Sequence, residues 1–170
     1  MIVYLVRHAP AAQRDAARWP DDASRPLTKK GERKFSRAAA GLARLAEPPS
    51  LVLASLHARA WRTAELLEEH AGWPAPQACP ALAADLDASE AIPELEALHM
   101  TDAESVALVG HEPTMSELLS LLLVGDETLL PAPFKKGAVA RLTLTTPPAP
   151  ASAQLDWFVT PGMLRRFARG

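Results

Sequence analysis

Apolar and polar positions along this chain fall into blocks that separate strands from helices. Ile2 to Val6 form a short continuous apolar run, the pattern of a central parallel strand buried on both faces. Thr28 suits a helix N-cap, and apolar residues recur at Phe35, Ala38, Ala39, Leu42, Leu45 and Ala46. That spacing predicts one helical face, stopped by Pro48 and Pro49. Leu51 to Ala54 make a second apolar run ending at Ser55, and residues 60 to 70 predict a second helix closed by Gly72. Val106 to Val109 make a third strand ended by Gly110 and His111. Pro113 then fits a first helical turn, followed by Met115, Leu118, Leu119 and Leu122 on a largely buried helix. Val139 to Leu144 alternate as a strand does, Leu155 to Val159 predict its antiparallel partner, and a short basic helix ends the chain. The proline-rich stretches Pro74–Pro80 and T-P-P-A-P-A-S from Thr146 read as loops. This order predicts an α/β fold: a single-domain, three-layer sandwich over residues 1–170, with a mostly parallel central sheet and helices on both faces.

Composition narrows the partners. A chain of 170 residues, 48% hydrophobic, suits one buried core and hence one main site. The net charge of −2, from 18 basic and 20 acidic residues, shows no overall electrostatic footprint for nucleic acid or a membrane surface. Cys79 is the single cysteine, so it has no partner for an internal disulfide or a paired-cysteine zinc or redox motif. No stretch approaches a membrane span, and the six opening apolar residues are too few for a secretion signal. A cytoplasmic location is expected.

In a doubly wound sheet, ligands sit beyond the carboxyl ends of the strands. The residues there are polar and specific: Arg7 and His8 after the first run, Ser55 with Arg59 and Arg62 after the second, His111 and Glu112 after the third. Guanidinium groups bind phosphoryl oxygens bidentately, and a helix start adds N–H donors. One neutral imidazole attacks phosphorus in such a pocket, while a second donates to the equatorial oxygens. Each residue alone has an ordinary explanation: Arg7 capping a sheet edge, His111 capping a helix start, Arg59 in a solvated face with Glu65, Glu68 and Glu69. Their conjunction at three neighbouring strand ends argues for chemistry. His57 is left as a rim residue, and His70 and His99 as surface residues near helix ends.

R-H-A at positions 7 to 9 resembles the R-H-G signature of the histidine phosphatase superfamily, whose fold is phosphoglycerate-mutase-like. The resemblance continues through S-R-P-L-T-K-K-G from Ser24, V-L-A-S-L-H-A-R-A-W-R-T-A-E from Val52, V-A-L-V-G-H-E-P from Val106, F-K-K-G-A-V-A-R-L from Phe134 and W-F-V-T-P-G-M-L near the end. In order and compactness these motifs are most similar to the small phosphohistidine phosphatases of the SixA type. The resemblance implies that His8 is the phosphorylated nucleophile, Arg7 and Arg59 bind the phosphoryl group, and His111 is the second core histidine. Ser55, Arg62 and Glu112 are candidate substrate contacts. Arg62 stands where the family often has glutamine, and pairing with the nearby glutamates is the favoured alternative for it. Ala9 and Leu56 depart from the usual glycine and proline. Larger members carry a general-acid glutamate between the second helix and the third strand. Here that region offers Asp85, Asp87 and Glu90, of which Asp85 is the candidate acid.

No cofactor or metal is expected, because arginines and imidazoles supply the positive charge. The expected substrate is a phosphohistidine carried by a phosphotransfer protein, whose labile P–N bond needs no obvious acid. Lys29, Lys30, Arg33 and Lys34 are candidates for docking such an acidic partner, although a solvated face is the more common explanation of such a cluster. A small-molecule phosphomonoesterase of the same superfamily, or a non-catalytic phosphate-binding module, are the rival expectations.

Overall fold

The computed structural model describes residues 1–169, and among them six strands form one sheet. In chain order the elements are β1 (Ile2–Arg7), α1 (Lys29–Leu42), β2 (Leu51–Ala54), α2 (Ala58–Ala71), β3 (Pro76–Ala78), α3 (Ala91–Met100), β4 (Ser105–Gly110), α4 (Thr114–Val124), β5 (Val139–Leu144), β6 (Ala153–Val159) and α5 (Pro161–Phe167). The strands lie in the order β3-β2-β4-β1-β5-β6. Pairings within β3-β2-β4-β1 are parallel, and β5 and β6 add an antiparallel edge. The α/β sandwich expected from the hydrophobic blocks is the fold observed.

Strand alternation divides the core into two layers. Tyr4 and Val6 of β1 face one layer with Phe35 and Leu42 of α1, Leu66 and Leu67 of α2, and Leu164 of α5. Val3 and Leu5 face the other, with Leu95 of α3 and Leu118 and Leu122 of α4. Both faces of β1 are therefore dry, which is why its sequence is apolar without a break. The first layer is closed by close backbone approach: a Cβ on Gly41 would stand 1.9 Å from the Leu164 carbonyl oxygen, so glycine there lets α1 and α5 touch. None of the described helices is long and apolar enough to cross a membrane.

Three expectations change. Pro74–Pro80, read as loop, contains β3; at the sheet edge it pairs with β2 alone, where a proline nitrogen disrupts little. The segment Ala91–Met100, which carries Pro93 in its first turn, is helical, and its buried residues Ala91 and Leu95 pack on the second layer. Helix α1 ends at Leu42, before the predicted stop at Pro48. The second helix closes as predicted, with Gly72 in the left-handed conformation at φ 69°.

The long connection after β1 is pinned at its base. An isolated antiparallel bridge joins Ala11 to Leu27, and the Ala12 amide donates to the Pro26 carbonyl over 3.0 Å. Between these points the chain makes one short helical turn at Asp22–Ser24, with the Asp21 side chain capping it.

Candidate active site

The carboxyl ends of β1, β2 and β4 lie side by side, with Arg7 in register with Gly110. His8 and Ser55 extend the ladder by one bond each, donating their amides over 3.0 Å to the carbonyls of Gly110 and Val109. This brings Arg7, His8, Ser55 and His111 to one sheet edge. Above it opens a cleft of about 730 Å³, lined by Arg7, His8, Arg59 and His111 and rimmed by Asp85, Glu112 and Lys136.

His8 is 5% exposed, and its Nδ1 lies 2.7 Å from the Ala9 carbonyl oxygen. A carbonyl only accepts, so Nδ1 carries the proton and Nε2 keeps its lone pair. Burial pushes the His8 pKa down to about 3; the Ala9 hydrogen bond opposes this, and the charges of Arg59, Arg7 and Lys136 add to it. A neutral imidazole with a bare Nε2 is a nucleophile in its reactive form. The His111 ring lies 5.2 Å from that of His8, and His111 is pushed down to about 2 by burial, then by Arg59, His8 and His57. The fully buried Ser55 hydroxyl lies 2.9 Å from His111 Nε2, and its donation to that nitrogen selects the tautomer with an open Nδ1–H. The His111 proton is then on Nδ1, a buried donor with no protein partner in a ring that lines the cleft. Such an orphaned N–H suits a phosphoryl oxygen.

The arginines are fixed by different devices. Arg7 donates from Nη1 to the Phe134 carbonyl, while its buried Nε has no partner. The Glu112 carboxylate accepts from the Phe134 amide on one oxygen and from the Ser116 hydroxyl at 2.7 Å on the other. Glu112 is thus occupied in holding the backbone that holds Arg7. Arg59, 3% exposed at the start of α2, is tied to Asp22 and also keeps a buried, unpartnered Nε. Arg25 joins the same aspartate at 2.8 Å, and Asp22 is held at about 2, chiefly by that hydrogen bond. Thr63 couples the two motifs: its hydroxyl accepts from the Ala9 amide at 2.9 Å and donates to the Arg59 carbonyl at 2.6 Å. Ala9, in place of glycine, is fully buried, so its methyl group packs into the core without cost to the backbone.

Of the candidate substrate contacts, Arg62 takes the alternative favoured for it and Ser55 is corrected. Arg62 lies outside the cleft and pairs with Glu32, Glu65 and Glu69, the last at 2.7 Å; the Glu69 hydrogen bond foremost raises its pKa. Ser55 lies beneath His111 and does not line the cleft. Asp85 is an exposed residue on the cleft wall, whereas Asp87 and Glu90 lie off it. Sequence reasoning missed Asp22, Arg25 and Lys136, and placed His57 too far out: its ring lies 4.8 Å from that of His111. Lys136, Arg25 and His57 fall within the quoted motifs F-K-K-G, S-R-P-L-T-K-K-G and V-L-A-S-L-H-A-R, whereas Asp22 comes from an aperiodic loop.

Comparison with known proteins agrees with this geometry. The family model described as "Histidine phosphatase superfamily (branch 1)" matches residues 3–84. An uncharacterized protein of Picosynechococcus sp. (strain PCC 7002) is 33% identical over 126 residues, 74% of this chain and 75% of that protein. The solved structure of the protein histidine phosphatase SixA complexed with tungstate superposes with a TM-score of 0.81, at 28% identity over 96% of this chain and 99% of that one. The chain belongs to the histidine phosphatase superfamily, in its SixA-type branch. A second structure, the putative phosphohistidine phosphatase SixA from Agrobacterium tumefaciens, gives a TM-score of 0.76 at 27% identity, covering 94% of this chain and 97% of that one. In this histidine phosphatase family member Arg7, His8, Arg59 and His111 line one cleft.

Proposed function

We propose that this protein removes phosphoryl groups through a covalent intermediate on His8, and that its substrate is a phosphohistidine carried by another protein. The observation that carries the reading is the His8 Nδ1–H bond to Ala9, which leaves a neutral Nε2 beside Arg7 and Arg59. Nε2 attacks phosphorus as the bond to the leaving group breaks; the leaving imidazole, its other ring nitrogen already protonated, keeps the electron pair and departs neutral. Water then attacks the phosphoryl group on His8, releasing inorganic phosphate and restoring the free imidazole. Arg7, Arg59 and the Nδ1–H of His111 follow the charge on the equatorial oxygens. Glu112 and Ser55 act as positioning residues for Arg7 and His111.

The likeness to a protein histidine phosphatase supports the substrate class, as does the state of the carboxylates. Asp22 and Glu112 are engaged, so neither is poised to protonate an alkoxide leaving group, and a phosphohistidine leaves without such help. Asp85, on the cleft wall, favours the second reading, a small-molecule phosphomonoesterase. Side-by-side rates on a phosphohistidine-bearing phosphotransfer protein and a panel of sugar, glycerate and nucleotide phosphates decide between them. Faster ester hydrolysis, abolished by Asp85→Asn, establishes the second reading. Phosphate binding with no release of product establishes a non-catalytic module.

A further inference from the structure

The small net charge conceals a sharp segregation. All 18 lysines and arginines lie in residues 1–62 and 135–170, whereas residues 63–134 contain none and carry 14 of the 20 acidic residues. The fold carries this division to the surface in part. The basic segments supply α1 and α5, which pack together on one face of the sheet, and the acidic segment supplies α3 and α4 on the other; α2, on the α1 side, carries Glu65, Glu68 and Glu69, of which Glu65 and Glu69 are paired with Arg62. On α1, Lys30, Arg33, Lys34 and Arg37 are all exposed. Their spacing of three and four puts them in one stripe, about 10 Å long at the helical rise.

These four cations make no ion pair among the described residues, whereas Arg25, Arg59 and Arg62 all do. Arg166 is exposed on α5, the helix that Gly41 and Leu164 bring into backbone contact with α1. The stripe also starts at the cleft. A Cβ on Gly31 would stand 2.1 Å from the carbonyl oxygen of Pro10, two residues beyond His8, so the first turn of α1 sits against the nucleophile loop. Of the acidic residues on the cleft, Asp85 and Glu112 belong to the opposite segment, Asp22 is paired with Arg25 and Arg59, and Asp21 caps the short turn beside it.

We infer that the α1–α5 face is the docking surface for the protein substrate, and that its partner presents an acidic surface beside the phosphohistidine. The inference rests on the proposed function and adds an address to it. Unpaired cations cost self-repulsion in the free protein, and a complementary partner relieves it. The acidic α3–α4 face repels the same partner, so the molecule's charge asymmetry turns an incoming acidic domain toward the α1 side of the cleft. A second copy, a nucleic acid and an anionic membrane are the competing occupants.

The test compares one protein substrate with one small phosphodonor. The quadruple variant Lys30→Glu, Arg33→Glu, Lys34→Glu, Arg37→Glu is assayed on an acidic phosphotransfer domain charged with phosphoramidate, and on phosphoramidate itself. Expected is a fall in kcat/KM of about tenfold or more on the domain, carried by KM, with the small-donor rate unchanged within about twofold. Wild-type kcat/KM on the domain should also fall steeply with salt, while the small-donor rate should not. A wild type that cleaves the phosphodomain with no salt dependence, and a variant equal to it, overturn the docking surface and leave the proposed function standing. A wild type that cleaves phosphoramidate but not the phosphodomain overturns both. Tighter binding of wild type to a short DNA duplex or to phosphatidylserine vesicles than to the domain, or self-association lost in the variant, also overturns the inference.

Discussion

Asp22 grips Arg59 at two points: Arg59 Nη1 donates to the Asp22 backbone carbonyl over 2.8 Å, and Nη2 lies 3.1 Å from its carboxylate. The aspartate lies in an irregular loop and the arginine on α2, so this pair joins segments that the sheet does not join. Asp22→Asn keeps the backbone contact and loses the charge. The expected result is a fall in kcat/KM of about tenfold or more from a loosened guanidinium, without loss of the fold. The folded carboxyl is held at about 2 against an ordinary 3.8. Its contribution to stability is therefore complete above that ordinary value and is lost as pH falls toward the folded one. The Tm difference between wild type and Asp22→Asn should shrink over the same window.

The nucleophile assignment is checked by trapping. Brief reaction with a labelled phosphodonor should leave a phosphoryl group on His8 that survives alkali and is lost in acid. His8→Ala should abolish both the label and turnover. Normal turnover by that variant would end the covalent reading.

Protonation sets the pH profile. His8 and His111 are held at about 3 and about 2, so both stay neutral well below the ordinary histidine value of 6.5. Activity should persist into mildly acidic buffer, to about pH 5, wherever the substrate keeps its own protonation state. A rate that rises only above neutrality contradicts this. Stability should move differently: the unfolded chain takes up protons on both histidines below 6.5 and the folded chain does not, so stability falls as pH drops. Chemical denaturation at several pH values measures the slope.

Arg62 is predicted to matter for stability alone. Its three glutamate partners are partly or fully exposed, so solvent and salt screening leave each pair a small contribution. Arg62→Gln should lower Tm slightly, more at low salt, with kcat/KM unchanged within about twofold.

Positive charge in the cleft comes from Arg7, Arg14, Arg25, Arg59 and Lys136, and among the described residues no three His, Cys, Asp or Glu side chains cluster as metal ligands would. Chelator should leave the rate unchanged. Loss of activity restored by a divalent ion would reassign the histidines as ligands.

The site was legible where strands end and obscure where loops close. Val6, Ala54 and Val109 finish apolar runs, so Arg7, Ser55 and His111 announced themselves as neighbours of a sheet edge. Asp22 and Arg25 carry no such signal. Nothing periodic in residues 9–28 says that the loop folds back until an aspartate reaches α2. Arg62 shares a helix turn with Arg59, but Glu65 and Glu69 at the next turns made the glutamate pairing legible in the sequence. The elements overlooked, β3 and α3, both contain proline, which reads as a break although an edge strand and a first helical turn tolerate it.

The bridge between Ala11 and Leu27 turns the intervening chain into a pouch with a drawn neck. Arg25 reinforces the neck by donating to the Ala12 carbonyl over 2.8 Å, while residues 13–18 lie exposed at the pouch's outer lip. Extra residues spliced there would lengthen the lip without slackening the neck, because the entropy of a closed loop rises only slowly with its length. The cleft beside it would then deepen around the same histidines. Substrate range in this scaffold is thus adjustable by splicing at one surface position, with the chemistry beneath left in place.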